Sequence, residues 1–230
     1  MNFSAFIFAR GGSKGIKNKN IINLGGKPLI YYSINHAFMC KQIQTVFVST
    51  DDKKIKEVSR QYGAKIIDRP VALAGDDSPE LDSWKQAIDE KKDIFQENQP
   101  FISVPTTSPL RDYQKLQLAI DLFTNSQFDL IIGVSESTRN PYLNMGEVDL
   151  DGTFSKLSSS ENFFRRQDSP KTYDISTNFY VGSPSYIKAS KNIMEGKVGY
   201  IEISRMEALD IDDRYDLHLA KLLLENPYEE

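Results

Sequence analysis

Short runs of β-branched and aromatic residues alternate with longer amphipathic stretches along most of this chain. The short runs Ser4–Ala9, Thr45–Ser49, Lys65–Asp68, Phe101–Val104, Leu130–Val134 and Thr177–Val181 read as strands. Between and after them, Pro28–Met39, Lys53–Tyr62, Leu81–Lys92, Tyr113–Thr124 and Arg214–Leu224 repeat apolar residues at helical spacing. Pro28 suits the first turn of its helix, where no backbone N–H is needed. Asp52 and Asp112 stand where side-chain caps belong. Strand–helix–strand alternation predicts an α/β fold with a mostly parallel, doubly wound sheet. In such sheets ligands bind beyond the carboxyl ends of the strands. The Gly-rich segment after the first strand, Ser49-Thr50-Asp51 and Pro105-Thr106-Thr107-Ser108 all follow strands and are expected on one rim.

The stretch 138–171 breaks this rhythm. It carries Pro141-Tyr142-Leu143, a turn signal at Asp151-Gly152, and then Phe163-Phe164-Arg165-Arg166. Asp-Gly between short runs predicts a hairpin. An arm with exposed aromatics suits dimerisation, and a long loop folded back on its own core is the alternative. Residues 1–230 are otherwise read as a single domain, with 138–171 as the arm.

Charge and cysteine usage narrow the partners. A formal net charge of −4 provides no excess basic surface for nucleic acid. The single cysteine, Cys40, excludes an intrachain disulfide and fits a reducing cytoplasm. It follows Ile34 and Ala37 in a helical segment, as a packed core thiol would. The apolar N-terminal run is short and interrupted by Arg10, unlike a signal peptide or a membrane span. A soluble cytoplasmic protein is expected, with no nucleic acid and no membrane as partner.

Against that acidic background one loop is strongly basic. Ala9-Arg10-Gly11-Gly12-Ser13-Lys14-Gly15 leads into Ile16-Lys17-Asn18-Lys19-Asn20, so Arg10, Lys14, Lys17 and Lys19 fall within ten residues. Glycines let the backbone approach a ligand closely, and exposed N–H groups with cations suit a polyphosphate. The order Gly-Gly-x-x-Gly is neither a P-loop nor a dinucleotide fingerprint; a merely solvated surface loop is the plain alternative. Further along come Arg69-Pro70 before the unpatterned Leu73-Ala74-Gly75-Asp76-Asp77, then Thr106-Thr107-Ser108-Pro109-Leu110-Arg111, Asn178, and Leu209-Asp210-Ile211-Asp212. If that last segment is extended, Asp210 and Asp212 project to one side. They would then offer hard oxygen ligands to Mg²⁺ shared with substrate phosphates. Helix capping before Arg214 is the other reading.

Taken in order, these motifs resemble the acylneuraminate cytidylyltransferases, which make CMP-activated sialic-type sugars; the CMP-Kdo synthetases are more distantly similar. The resemblance runs from Ala9 through Asp216. It implies a Rossmann-like nucleotidyltransferase fold whose arm reaches the neighbouring subunit of a homodimer. It implies CTP and a 2-keto-3-deoxy sugar acid as substrates, with Mg²⁺ as cofactor. Arg10 and Lys14, with the backbone of Gly11, Gly12 and Ser13, would hold the CTP phosphates. Lys19 would stabilise charge on the α- and β-phosphates, while Asn20 and Arg69 would contact the cytosine and its surroundings. Asp210 and Asp212 would bind the metal. Arg165, Arg166 and Gln167 fall where the family recognises the sugar carboxylate.

There are departures. Val104-Pro105-Thr106 stands where some members have Gln-Pro-Thr, so that sugar contact is missing. Asp174-Ile175-Ser176-Thr177 replaces an Arg-Pro-Asn-Gly run. Arg139-Asn140-Pro141-Tyr142 and Arg166-Gln167-x-x-Pro170-Lys171-x-Tyr173-Asp174 look more like the legionaminic acid branch. The only histidines, His36 and His218, lie within predicted helices, which leaves a serine or cysteine hydrolase without a base. Two rivals stay open: a CMP-Kdo-type synthetase for a different sugar acid, and a CTP-binding module without turnover.

Overall fold

The computed structural model describes residues 2–75, 78–95, 99–158, 163 and 165–226. Asp76, Asp77 and Phe164 of the sequence motifs therefore lie outside the described residues. The strands, in chain order, are β1 (Phe3–Phe8), β2 (Asn23–Leu24), β3 (Lys27–Pro28), β4 (Ile43–Thr50), β5 (Lys65–Asp68), β6 (Phe101–Ser103), β7 (Leu130–Glu136), β8 (Gly146–Val148), β9 (Phe154–Lys156), β10 (Tyr173–Gly182) and β11 (Val198–Glu202). The helices are α1 (Leu29–Met39), α2 (Lys53–Gln61), α3 (Glu80–Glu90), α4 (Tyr113–Thr124), α5 (Pro184–Ala189) and α6 (Arg214–Glu225).

Seven strands form one sheet in the order β11-β7-β10-β6-β1-β4-β5. Its pairings are parallel except at β10, which runs antiparallel to both β6 and β7. All six expected strands and five expected helices are present. Asp52 and Asp112 cap α2 and α4, accepting from Ile55 N at 2.9 Å and Gln114 N at 2.8 Å. Pro28 stands one position earlier than expected: it pairs with Asn23 in β3 and precedes α1, which starts at Leu29. Strand β11 and the six-residue α5 were not expected. Only one turn and a half long, α5 shows no period. In β11 a glycine interrupts the pattern because a side chain at Gly199 would meet Ile131 Cδ1 at 2.7 Å.

The sheet is covered on both faces. Alternation along β1 sends Ala5 and Ile7 towards Ile30 and Ile34 of α1 and Leu116 and Ile120 of α4. Phe6 points the other way, into a layer with Trp84 of α3 and Ile187 of α5, and stacks on Phe47 and Phe101 at 5.4 and 5.2 Å. Burying each such ring contributes roughly 1.5–3 kcal/mol. A third, smaller cluster joins Ile16, Leu24, Leu29 and Ile211 to Leu217 and Ala220 of α6. Cys40 is buried at the end of α1, as expected of a core thiol.

Two features shape the rim. Between Ser176 and Tyr180, β10 advances four residues while β7 moves only from Gly133 to Ile132, so Thr177, Asn178 and Phe179 bulge out of register. Arg111 is buried with no carboxylate partner among the described residues. Its Nε donates to Asn178 O at 2.7 Å, its Nη2 to Pro105 O at 2.8 Å and its Nη1 to Ser33 Oγ at 3.4 Å. Burial pushes the Arg111 pKa down to about 9, which leaves it a cation at neutral pH.

That buried cation has a neighbour that must stay neutral. His36 Nδ1 is buried without a partner. Burial, and then the Arg111 charge, push the His36 pKa down to about 3. The unfolded chain takes up this proton near the usual histidine value and the folded chain does not, so folding stability is complete above that value and falls as pH drops towards 3. Between pH 7 and pH 5, His36 should account for up to about 2 kcal/mol of lost unfolding free energy. Urea unfolding of His36→Gln should show a correspondingly shallower pH slope, and an unchanged slope would clear His36 of the effect.

Candidate active site

The Gly-rich segment after β1 is irregular until the 3-10 turn Lys19–Ile21. Its start is tied to the next strand end: Ala9 N donates to Ser49 O at 3.0 Å, and Gly11 N donates to Asp51 Oδ1 at 3.0 Å. Its middle is tied down by Ile16, buried beneath α6 with Ile211. Asn18 takes the left-handed conformation at φ 57°, which asparagine tolerates better than most residues, and the chain turns there into Lys19. Gly15 is required by contact, since a Cβ would lie 2.3 Å from the backbone oxygen of Asp212.

The loop opens onto a cavity of about 450 Å³, in the range of small-molecule sites. Arg10, Ser13, Lys14, Gly15, Lys19, Asn20, Arg69 and Asp212 line it, so eight of the residues singled out by sequence converge there. Pro105, Thr106 and Thr107 complete the expected rim. Lys19 bridges the two chemical halves: its Nζ donates to Ile211 O at 2.8 Å and to Asp212 Oδ1 at 3.0 Å. Asn20 is buried, donating to Arg10 O at 2.9 Å and accepting from Thr106 Oγ1 at 2.6 Å. Arg69 is buried too, its guanidinium 5.6 Å from the Phe8 ring and donating to Ser49 Oγ and Ser49 O at 3.3 and 3.2 Å. Desolvation lowers the Arg69 pKa, and the charges of Glu80 and Asp51 partly restore it.

The capping alternative for the acidic pair does not hold. Asp213 caps α6, with Asp216 closing a capping box back onto the Asp213 N–H. Asp210 accepts from Thr177 Oγ1 at 2.9 Å through Oδ2, while its buried Oδ1 has no hydrogen-bond partner. Ile211 between them is buried, and its N–H donates to Thr107 O at 2.8 Å.

Other expected residues lie elsewhere. Gly11, Gly12 and Asp210 are not among the residues that line the cavity. Arg165, Arg166 and Gln167 sit at the base of the arm: Arg165 pairs with Asp168 at 2.7 Å, and Arg166 donates to Ser137 O at 2.7 Å. They do not line the cavity beside the Gly-rich loop; Arg166 instead borders a small cleft with Glu136, Asn140 and Lys171. The Asp-Gly hairpin is present as β8 and β9, with Gly152 at φ +84°. Sequence reasoning did not single out Phe8, Ser78, Glu80, Ser83 or Thr177 as lining residues. Thr177 reaches the cavity from the β10 bulge, which no sequence pattern announces; Glu80 looks like an ordinary first-turn acid of a helix.

A basic, glycine-rich loop at the strand ends of an α/β sheet, tied to a carboxylate where it lines an open cavity, has the features of a phosphate-binding α/β protein. Residues 4–223 match the family model described as Cytidylyltransferase, and the chain belongs to that family. It is 30% identical over 220 residues to the CMP-N,N'-diacetyllegionaminic acid synthase of Campylobacter jejuni, covering 95% of this chain and 93% of that protein. The N-acylneuraminate cytidylyltransferase of Escherichia coli O18:K1:H7 is 29% identical over 94% of this chain and 50% of its own length. The solved CMP:2-keto-3-deoxy-manno-octonic acid synthetase complexed with CTP shares the fold, with a TM-score of 0.72 at 14% identity over 99% of this chain and 100% of that one.

The close approach at Gly15 gives a test of how the halves fit. Gly15→Ala must displace the Asp212 backbone, because the clash is with a peptide oxygen rather than a flexible side chain. Calorimetric nucleotide binding should weaken at least about tenfold while circular dichroism stays unchanged. Wild-type affinity would show that the loop and the acidic segment act independently.

Proposed function

We propose that this protein joins CTP to a nonulosonic, 2-keto-3-deoxy sugar acid, giving the CMP-sugar and pyrophosphate. The observation that carries the reading is the cavity itself, which Arg10, Lys14 and Lys19 line together with Asp212, the partner of Lys19 at 3.0 Å. The sugar's anomeric oxygen attacks the α-phosphorus, its proton leaves, and the bond to pyrophosphate breaks on the opposite side. Such transfer needs positioning and charge stabilisation rather than a covalent residue. Arg10 and Lys14 hold the triphosphate, and Lys19 stabilises charge on the phosphates next to the breaking bond. Asn20, fixed by Arg10 O and Thr106, and Arg69, fixed by Ser49, take the nucleoside side.

Asp210 and Asp212 would hold Mg²⁺. The fit rests on hard oxygen donors and on the buried, unpartnered Oδ1 of Asp210. Bound there, the ion would neutralise phosphate charge. A legionaminic-type sugar is favoured by the identity with the C. jejuni synthase over nearly both whole chains.

The arm supports a homodimer. Met145, Val148, Leu150, Phe154 and Leu157 expose apolar side chains on and around the β8–β9 hairpin. An apolar patch of this kind, on an arm too thin to bury it, suits a second copy of the chain. Arg165, Arg166 and Gln167 at the arm's base then recognise the sugar carboxylate.

Pyrophosphate release from CTP and Mg²⁺ across N-acetylneuraminate, diacetyllegionaminate, pseudaminate and Kdo tests the reaction. Turnover with one of the first three is expected, Kdo alone would point to the CMP-Kdo type, and CTP binding without release from any sugar would favour a binding module. With the accepted sugar, Asp212→Ala should lower kcat by about 10² or more with the fold intact; wild-type turnover would remove Asp212 from the site. Replacing Leu150 and Phe154 together by aspartate should give a monomer by sedimentation velocity, and an unchanged dimer would place the interface elsewhere.

A further inference from the structure

Apart from Asp212, Glu80 is the only carboxylate among the described residues lining the cavity, and the transfer chemistry makes no use of it. Glu80 opens α3, a helix anchored by Trp84, which is buried and packs 5.3 Å from Phe101 and 5.0 Å from Tyr180. Trp84 Nε1 donates to Glu80 Oε1 at 3.2 Å. That bond fixes the carboxylate and leaves its second oxygen for a ligand. Glu80 is exposed where it meets the cavity, and the protein packed around its carboxylate raises its pKa. The Trp84 bond and the Arg69 charge counter that rise.

The surroundings of Glu80 differ from those of the phosphate loop. Phe8, Leu73, Gly75, Ser78 and Ser83 line the cavity with it, and Arg69 is the cation that feels its charge. A partly aromatic wall with one fixed acceptor and one fixed guanidinium donor is complementary to a planar heterocycle. Cytosine presents an amine donor beside two acceptors along one edge. Uracil presents a carbonyl where cytosine has the amine, and an ionised carboxylate has no hydrogen to give it.

We propose that Glu80 is the residue that selects cytosine over uracil, accepting from the exocyclic amine through the oxygen that Trp84 leaves open, with Arg69 serving the acceptor edge. This rests on the CTP-dependent reading of the same cavity. A uridine nucleotide would set its carbonyl against the carboxylate, acceptor against acceptor with no hydrogen between them, which is how a site built around a hydrogen bond rejects a near-isostere.

The test compares CTP with UTP in wild-type protein, Glu80→Ala and Glu80→Gln. Binding is followed without sugar by the fluorescence of Trp84, the only tryptophan in the chain, and turnover by pyrophosphate release with the accepted sugar. Wild type should prefer CTP by about 10² in kcat/KM. Both variants should lower that preference at least about tenfold, through a raised KM for CTP with kcat little changed, since the base is remote from the reacting phosphorus. Glu80→Gln keeps an acceptor for Trp84 and gains an amide donor, so its use of UTP should rise. Wild-type preference retained in both variants, or an equal loss for both nucleotides, overturns the assignment and leaves the CTP reading standing. A wild-type protein that binds neither nucleotide overturns the CTP reading and this inference with it.

Discussion

A guanidinium buried without a carboxylate must be surrounded by oxygen acceptors, and the rim of this protein is arranged around that requirement. Arg111 meets it with the carbonyls of Pro105 and Asn178 and the hydroxyl of Ser33. Those acceptors belong to the end of β6, the bulge of β10 and helix α1. Satisfying one buried cation therefore sets where the chain leaves two adjacent strands. Thr106, Thr107 and Thr177 are carried to the cavity as a result. Burial, reinforced by the same charge, holds His36 neutral nearby.

A second constraint fastens the opposite side of the site. Ile16 and Ile211 share a small core with α6, so the basic loop and the acidic segment are two strips of backbone held by one apolar cluster. Gly15 lets them touch, and Lys19 ties them with one bond to a carbonyl and one to a carboxylate. Loops that carry charge are usually mobile because they bury little. Here each loop contributes one isoleucine to a core, which positions the charged neighbours without placing them in the interior.

How much of this was legible in the sequence follows from what each residue needs from its neighbours. Periodicity located β1, β4, α2 and α4 because their patterns are set by a sheet face or a capped amphipathic turn. It failed at β11, a five-residue strand interrupted by Gly199, and at α5, too short to repeat. The loop cations and Asp212 could be named because their chemistry is local to a motif. Thr177 could not, since its place depends on three residues slipping out of register against β7. Glu80 was hidden for another reason: an acid in the first turn of a helix needs no further explanation until its surroundings are known. The arginines of the arm were legible as a motif, yet the cavity beside the Gly-rich loop does not receive them.

Lys19 meets any incoming anion already engaged. Its side chain is only 16% exposed, while that of its partner Asp212 is 76% exposed. On the proposed function, the site behaves at this point like an ion-exchange resin supplied with its counterion. A bare phosphate that draws Lys19 away leaves Asp212 with nothing to balance it. A triphosphate accompanied by a divalent cation would offer a new partner to each, phosphate oxygens to the Lys19 ammonium and the cation to the Asp212 carboxylate. On that reading the ion pair favours a nucleotide that carries its own cation over a bare phosphate.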